Sequence, residues 1–132
     1  MNATALCWID GEILAASEAR VSVFDHGLLY GDGVFEGLRF YRGRVFRMPA
    51  HLERLRQSAQ AIGLELPLGL DGIADAVTAL VGAYSGENGY LRLVVTRGAG
   101  SLGIDPRSCT RPLLFIIADA PIKSRPIRSS AP

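Results

Sequence analysis

Two dipeptides, Asp10-Gly11 and Arg42-Gly43, constrain this chain more than any other feature, because each stands between short runs of extended-type residues. Leu6 to Ile9 and Glu12 to Ala15 flank the first; Val34 to Tyr41 and Arg44 to Arg47 flank the second. Asp-Gly accepts the positive φ angles of a type I′ turn, so the first segment reads as a β-hairpin and the second as another. Tyr90 to Thr96 and Pro112 to Ala118 are apolar, β-branched runs that read as strands. Pro49 suits a first helical position, since it fixes φ and needs no amide partner there. From it Leu52, Leu55, Ala59 and Ile62 repeat at helical spacing, and Gly63 can end the helix. Asp71 is expected to cap a second helix with an apolar face of Ile73, Val77, Leu80 and Val81. Val21 to Phe24 is a short apolar run ending at Asp25-His26-Gly27, and Leu28 to Gly33 reads as a glycine-rich bend between extended segments. Mixed elements joined by tight hairpins predict an α+β domain of two layers, a largely antiparallel sheet with helices packed on one side.

The last segment, 121–132, holds three prolines and three serines without a period. It reads as an interdomain linker or tail, leaving 1–120 as the domain. A net charge of +1 supplies no strong field for nucleic acid or an anionic membrane. The N-terminus has no basic stretch of a signal peptide, and no apolar run is long enough to span a bilayer. Cys7 and Cys109 lack CxxC or zinc-type spacing, so they are expected to be reduced thiols of a cytoplasmic protein, and no metal site is expected. Gly98-Ala99-Gly100-Ser101-Leu102-Gly103 matches GxGxxG after a strand. A dinucleotide site needs a helix to open there, but Ile104-Asp105-Pro106 and another strand follow, so the segment reads as a glycine-rich loop.

Side chains alternate across a strand, so Phe35, Gly37, Arg39 and Tyr41 share one face, and Tyr90, Arg92, Val94 and Thr96 share another. An aromatic beside an arginine on each of two strands can wall a pocket for a small amphipathic anion. Gly37 would leave room for a ligand to approach the backbone. Arginines on strands are also often solvated or held in structural ion pairs. Arg54 poses a similar choice, between a surface arginine with its stem packed on the helix and a guanidinium gripping a phosphate. His51 is expected to be a hydrogen-bond partner on that helix rather than a catalyst.

Four stretches, taken in order, decide between these readings: Tyr30 to Arg39, His51 to Leu55, Tyr90 through Gly98, and Leu102 to Pro106. Together, from about Trp8 to Ala120, they resemble the N-terminal small domain of the class IV (fold-type IV) aminotransferases, which use pyridoxal 5'-phosphate (PLP). The family includes branched-chain and D-amino acid aminotransferases and aminodeoxychorismate lyase. The resemblance implies that Arg54 binds the cofactor phosphate and that Phe35, Gly37, Arg39, Tyr90 and Arg92 line the substrate pocket. It implies a homodimer in which Tyr30 and the loop at Leu102 and Ile104 reach toward the neighbouring subunit's site. Phe-Glu-Gly-Leu-Arg at 35–39 is of the branched-chain type, implying transfer of an amino group between a branched-chain L-amino acid and 2-oxoglutarate. The D-specific enzymes carry an arginine and a histidine in the loop after the Tyr90 strand, and the 98–103 loop has neither. The family's Schiff-base lysine lies in a following large domain. Lys123, the only lysine here, follows the last strand too closely to match it and is expected to be an exposed linker residue. The chain taken alone is therefore expected not to transaminate; the alternatives are a stand-alone association or ligand-binding domain, or a fragment of the related D-amino acid aminotransferase or aminodeoxychorismate lyase.

Overall fold

The computed structural model describes residues 4–121. Lys123 and most of the 121–132 segment lie outside them. Strands β1 (Leu6–Ile9) and β2 (Glu12–Ala15) form the first hairpin. Asp10 and Gly11 both take positive φ, 50° and 85°, as the type I′ turn requires. The second hairpin joins β3 (Gly33–Tyr41) to the short β4 (Arg44–Val45), with Arg42 and Gly43 at 52° and 76°. β5 (Gly89–Thr96) and β6 (Leu113–Asp119) complete one six-stranded sheet, in the order β2-β1-β6-β5-β3-β4, and every pair is antiparallel.

Helices α2 (Met48–Ala61) and α3 (Leu70–Ala83) cover one face of this sheet. Pro49 lies in the first turn of α2, which buries Leu52, Leu55 and Ala59. Ile62 falls just past its end and stays exposed. α3 buries Ile73, Ala76, Val77, Leu80 and Val81. From the sheet come Leu38 and Phe40, then Leu91, Leu93 and Val95, then Leu114, Ile116 and Ala118. Each large apolar side chain taken fully out of water here contributes about 1.5–3 kcal/mol. The α+β, two-layer arrangement is the one the hairpin pattern predicts.

Two details differ from the sequence-based expectation. Asp71 does not cap α3; Gly69 takes the cap position without a side-chain bond, and Asp71 lies in the first turn. There a carboxylate still favours the positive end of the helix. The stretch after Asp25 is not a simple bend, because His26–Tyr30 forms a short helix, α1. Asp25 caps it by accepting from the Leu28 amide, and Gly31 ends it in the left-handed conformation at φ 67°. The 98–104 segment is a loop leading to a 3-10 turn at Pro106–Ser108 and then β6. Cys7 and Cys109 are both free thiols. Among the described residues no helix is long and apolar enough to cross a membrane, and no cluster of three metal-ligating side chains occurs.

Candidate functional site

Alternation along β3 sends Glu36, Leu38 and Phe40 to the helix side, while Phe35, Arg39 and Tyr41 stay exposed on the open side. β5 lies in a register that sets Gly37 opposite Arg92 and Arg39 opposite Tyr90. The open side therefore collects the expected pocket residues. The Arg92 guanidinium lies 5.2 Å from the centre of the Phe35 ring and 5.6 Å from that of Tyr90. Its Nη2 donates to the Tyr90 hydroxyl at 3.1 Å. Cation–π contact thus holds a charged group between two aromatics with the Phe35 ring still 61% exposed. A cleft of about 360 Å³ adjoins them, lined by Phe35, Arg92, Val94, Leu28 and Phe115.

One expectation is corrected here. Gly37 does not leave open space for a ligand, because a Cβ there would collide with the Tyr90 hydroxyl. The missing side chain is what lets Tyr90 lie across the strand beneath Arg92.

Tyr30 and the distant loop residues do meet. The Tyr30 hydroxyl accepts from the Gly103 amide at 2.6 Å, between Leu102 and Ile104, which are 72% and 79% exposed. Below them lies a buried polar knot that sequence reasoning missed. Thr96 donates from Oγ1 to Asp25 at 2.7 Å and accepts from the Gly98 amide. The His26 amide donates to the Gly98 carbonyl, and His26 Nε2, facing the carbonyl of Ser101 at 2.9 Å, must carry the proton there. His26 Nδ1 is buried without a partner among the described residues. Asp25, His26 and Thr96 thus fasten α1 and the 98–104 loop to the end of β5. The signal was present in a polar Asp-His pair after an apolar run, but only the tertiary pairing makes it legible.

Arg54 stands apart from the aromatic wall, on the helix side. Its Nε and Nη2 donate to the two oxygens of Glu36, each at 2.9 Å, a two-pronged clamp. His51 Nδ1 lies 2.8 Å from Glu36 Oε1. A carboxylate only accepts, so that nitrogen carries a proton, and His51 is the hydrogen-bond partner expected. Glu36 is only 5% exposed, yet the Arg54 side chain remains 64% exposed. Burial pushes the Glu36 carboxyl up, but hydrogen bonds and charge from Arg54 and His51 outweigh this and hold it below the ordinary value. β4 pairs only with Phe40 and Tyr41, so it stops short of Glu36 and leaves the outer edge of β3 there to the start of α2. Glu36 was also missed from sequence, although alternation alone assigns it to the buried face, where a charge needs partners.

The chain as a whole is similar to known proteins. The family model described as amino-transferase class IV matches residues 33–130. The chain belongs to this family. It is 47% identical over 111 residues to a putative branched-chain-amino-acid aminotransferase of Methanocaldococcus jannaschii, covering 84% of this chain and 38% of that protein. Among solved structures, it is similar to the branched-chain aminotransferase of Thermoproteus uzoniensis with norvaline (TM-score 0.79, 33% identity, 89% of this chain and 41% of that one). It is also similar to a T.th. branched-chain amino acid aminotransferase complexed with N-(5'-phosphopyridoxyl)-L-glutamate (TM-score 0.81, 28% identity, 91% of this chain and 42% of that one). The chain thus spans about two-fifths of the length of each of these three proteins.

Proposed function

We propose that residues 1–120 act as the N-terminal small domain, with 121–132 as interdomain linker or tail, of a PLP-dependent transaminase. Its substrates are a branched-chain L-amino acid and 2-oxoglutarate. The observation that carries this is the open sheet face, where Phe35, Tyr90 and Arg92 combine an apolar wall with a fixed positive charge. An aliphatic side chain would pack on the rings, and the N–H groups of Arg92 not used by Tyr90 would pair a carboxylate, with Arg39 as the second candidate. Gly37 serves by admitting Tyr90. The glutamate moiety in the phosphopyridoxyl complex of the similar enzyme supports an acceptor with a second carboxylate.

PLP fits the donor set at Arg54, whose exposed guanidinium is held by Glu36 with its outer edge open to a phosphate. When bound, PLP supplies the electron sink for the carbon that loses its proton. Tyr30 orients the loop that presents Leu102 and Ile104 toward the neighbouring subunit's site in a homo-oligomer. The 98–103 loop lacks the arginine and histidine of the D-specific enzymes, which favours L-substrates.

In the full-length protein, leucine and 2-oxoglutarate should yield glutamate, and Arg54→Ala should weaken PLP binding at least about tenfold, the loss of a charge-assisted phosphate contact. Unchanged cofactor affinity in that variant removes the role of Arg54. Transfer from D-alanine but not from L-leucine would move the protein to the D-specific branch.

A further inference from the structure

Leu38 and Phe40, the next residues on the helix-facing side of β3, belong to the apolar core. Glu36 interrupts that row only where α2 presents His51 and Arg54. We infer that Glu36 is a positioning residue that locks the Arg54 guanidinium edge-on and turns its Nη1–Nη2 edge outward to receive the cofactor phosphate. This rests on Arg54 being the phosphate-binding arginine.

The geometry supports the role in three ways. An arginine 64% exposed on a helix would ordinarily sample many rotamers, but here Nε and one Nη2 N–H are committed to a carboxylate fixed by the sheet. The side-on clamp leaves the end-on edge of the fork, the edge suited to two parallel bonds with a phosphate. His51 keeps that edge available. Arg54 Nη2 lies 3.4 Å from His51 Nδ1, but the proton of that nitrogen is directed to Glu36, so His51 does not draw the guanidinium away. Nη1 has no acceptor among the described residues.

A carboxylate beside an anion site has two opposed effects. Its charge repels the phosphate, and its clamp orients the arginine. The sign of the change on neutralising Glu36 therefore tells which one rules. In the full-length protein, Glu36→Gln should weaken PLP binding about tenfold through lost preorganisation while leaving the affinity for pyridoxal, which has no phosphate, unchanged. Equal or tighter PLP binding overturns the positioning role, as does an equal loss for pyridoxal. Combined with Arg54→Ala, Glu36→Gln should cause no further loss; an additive loss means Glu36 acts only through general stability. If Arg54→Ala weakens PLP binding and Glu36→Gln does not, positioning alone fails. If Arg54→Ala has no effect, the phosphate reading fails and takes this inference with it. Should Glu36→Gln not fold, Arg54→Lys gives the same answer with Glu36 untouched. A single ammonium cannot clamp Glu36 and present a second edge, so the preference for PLP over pyridoxal should fall nearly as far as in Arg54→Ala. Full preference in Arg54→Lys would mean that charge suffices without orientation.

Discussion

Two glycines of this chain look alike in sequence and differ in what replaces them. At Gly37 an added Cβ meets the hydroxyl end of Tyr90, a side chain that can swing away. At Gly98 it meets the backbone carbonyl of Arg111, which cannot, and the residue already sits at φ 92°. Gly98 also joins the polar knot, accepting from the His26 amide and donating to Thr96. Gly98→Ala should therefore destabilise by roughly 2–4 kcal/mol, from left-handed strain together with backbone displacement. Gly37→Ala should cost less than about 1.5 kcal/mol, since one surface aromatic rearranges. Its effect should appear instead as a raised KM in the full-length protein, because the Tyr90–Arg92 pair is lost. Urea unfolding of both variants checks the ranking. A Gly98→Ala protein as stable as the parent would show that the turn can be rebuilt.

Between elements, the main tie outside the core is Arg97 at the end of β5. Its Nε and Nη2 hold the Asp32 carboxylate at 2.9 and 3.0 Å, while Nη1 and Nη2 donate to the carbonyls of Gly63 and Ile62 just past α2. One side chain thus joins the strand, the α1–β3 loop and the turn that follows α2. It is only 16% exposed, and four charge-assisted bonds converge on it. Arg97→Ala should cost about 2–3 kcal/mol, and Arg97→Lys should recover less than half, because an ammonium cannot reach both partners. Equal stability of the Lys variant in chemical denaturation would reduce the tie to simple charge. Such ties are where sequence reasoning runs out. The hairpins at Asp10-Gly11 and Arg42-Gly43, α2 after Pro49 and the apolar face of α3 were legible because each is set by local φ preference or a repeating period. α1 was not, since a five-residue helix has no period and is held by Asp25 and its contacts to β5. The aromatic–arginine wall followed from alternation on two strands, but the register that joins them did not. The clamp on Arg54 needed the buried face of β3 to be read as carefully as the exposed one.

At the scale of the whole molecule, both helices of the core lie on one side of the sheet, and nothing of comparable size lies on the other among the described residues. That open face carries Phe35, Val94, Phe115 and Ile117, exposed or half-buried on the three neighbouring strands β3, β5 and β6. Beside it, α1 and its loops expose Val23, Leu28, Leu102 and Ile104, the last at 79%. Single exposed apolar residues are ordinary, but a contiguous set bordering a cleft is how association surfaces are built. A net charge of +1 opposes association only weakly. The chain should therefore self-associate, with an apparent mass that rises with concentration in light scattering. Replacing Leu28 and Ile104 together by glutamate should return it to the monomer without loss of helical signal, since neither side chain belongs to the core. A parent chain that stays strictly monomeric over a wide concentration range would mean that Arg92 and the half-buried rings satisfy this face alone. Association that survives both glutamates would place the contact elsewhere on the molecule.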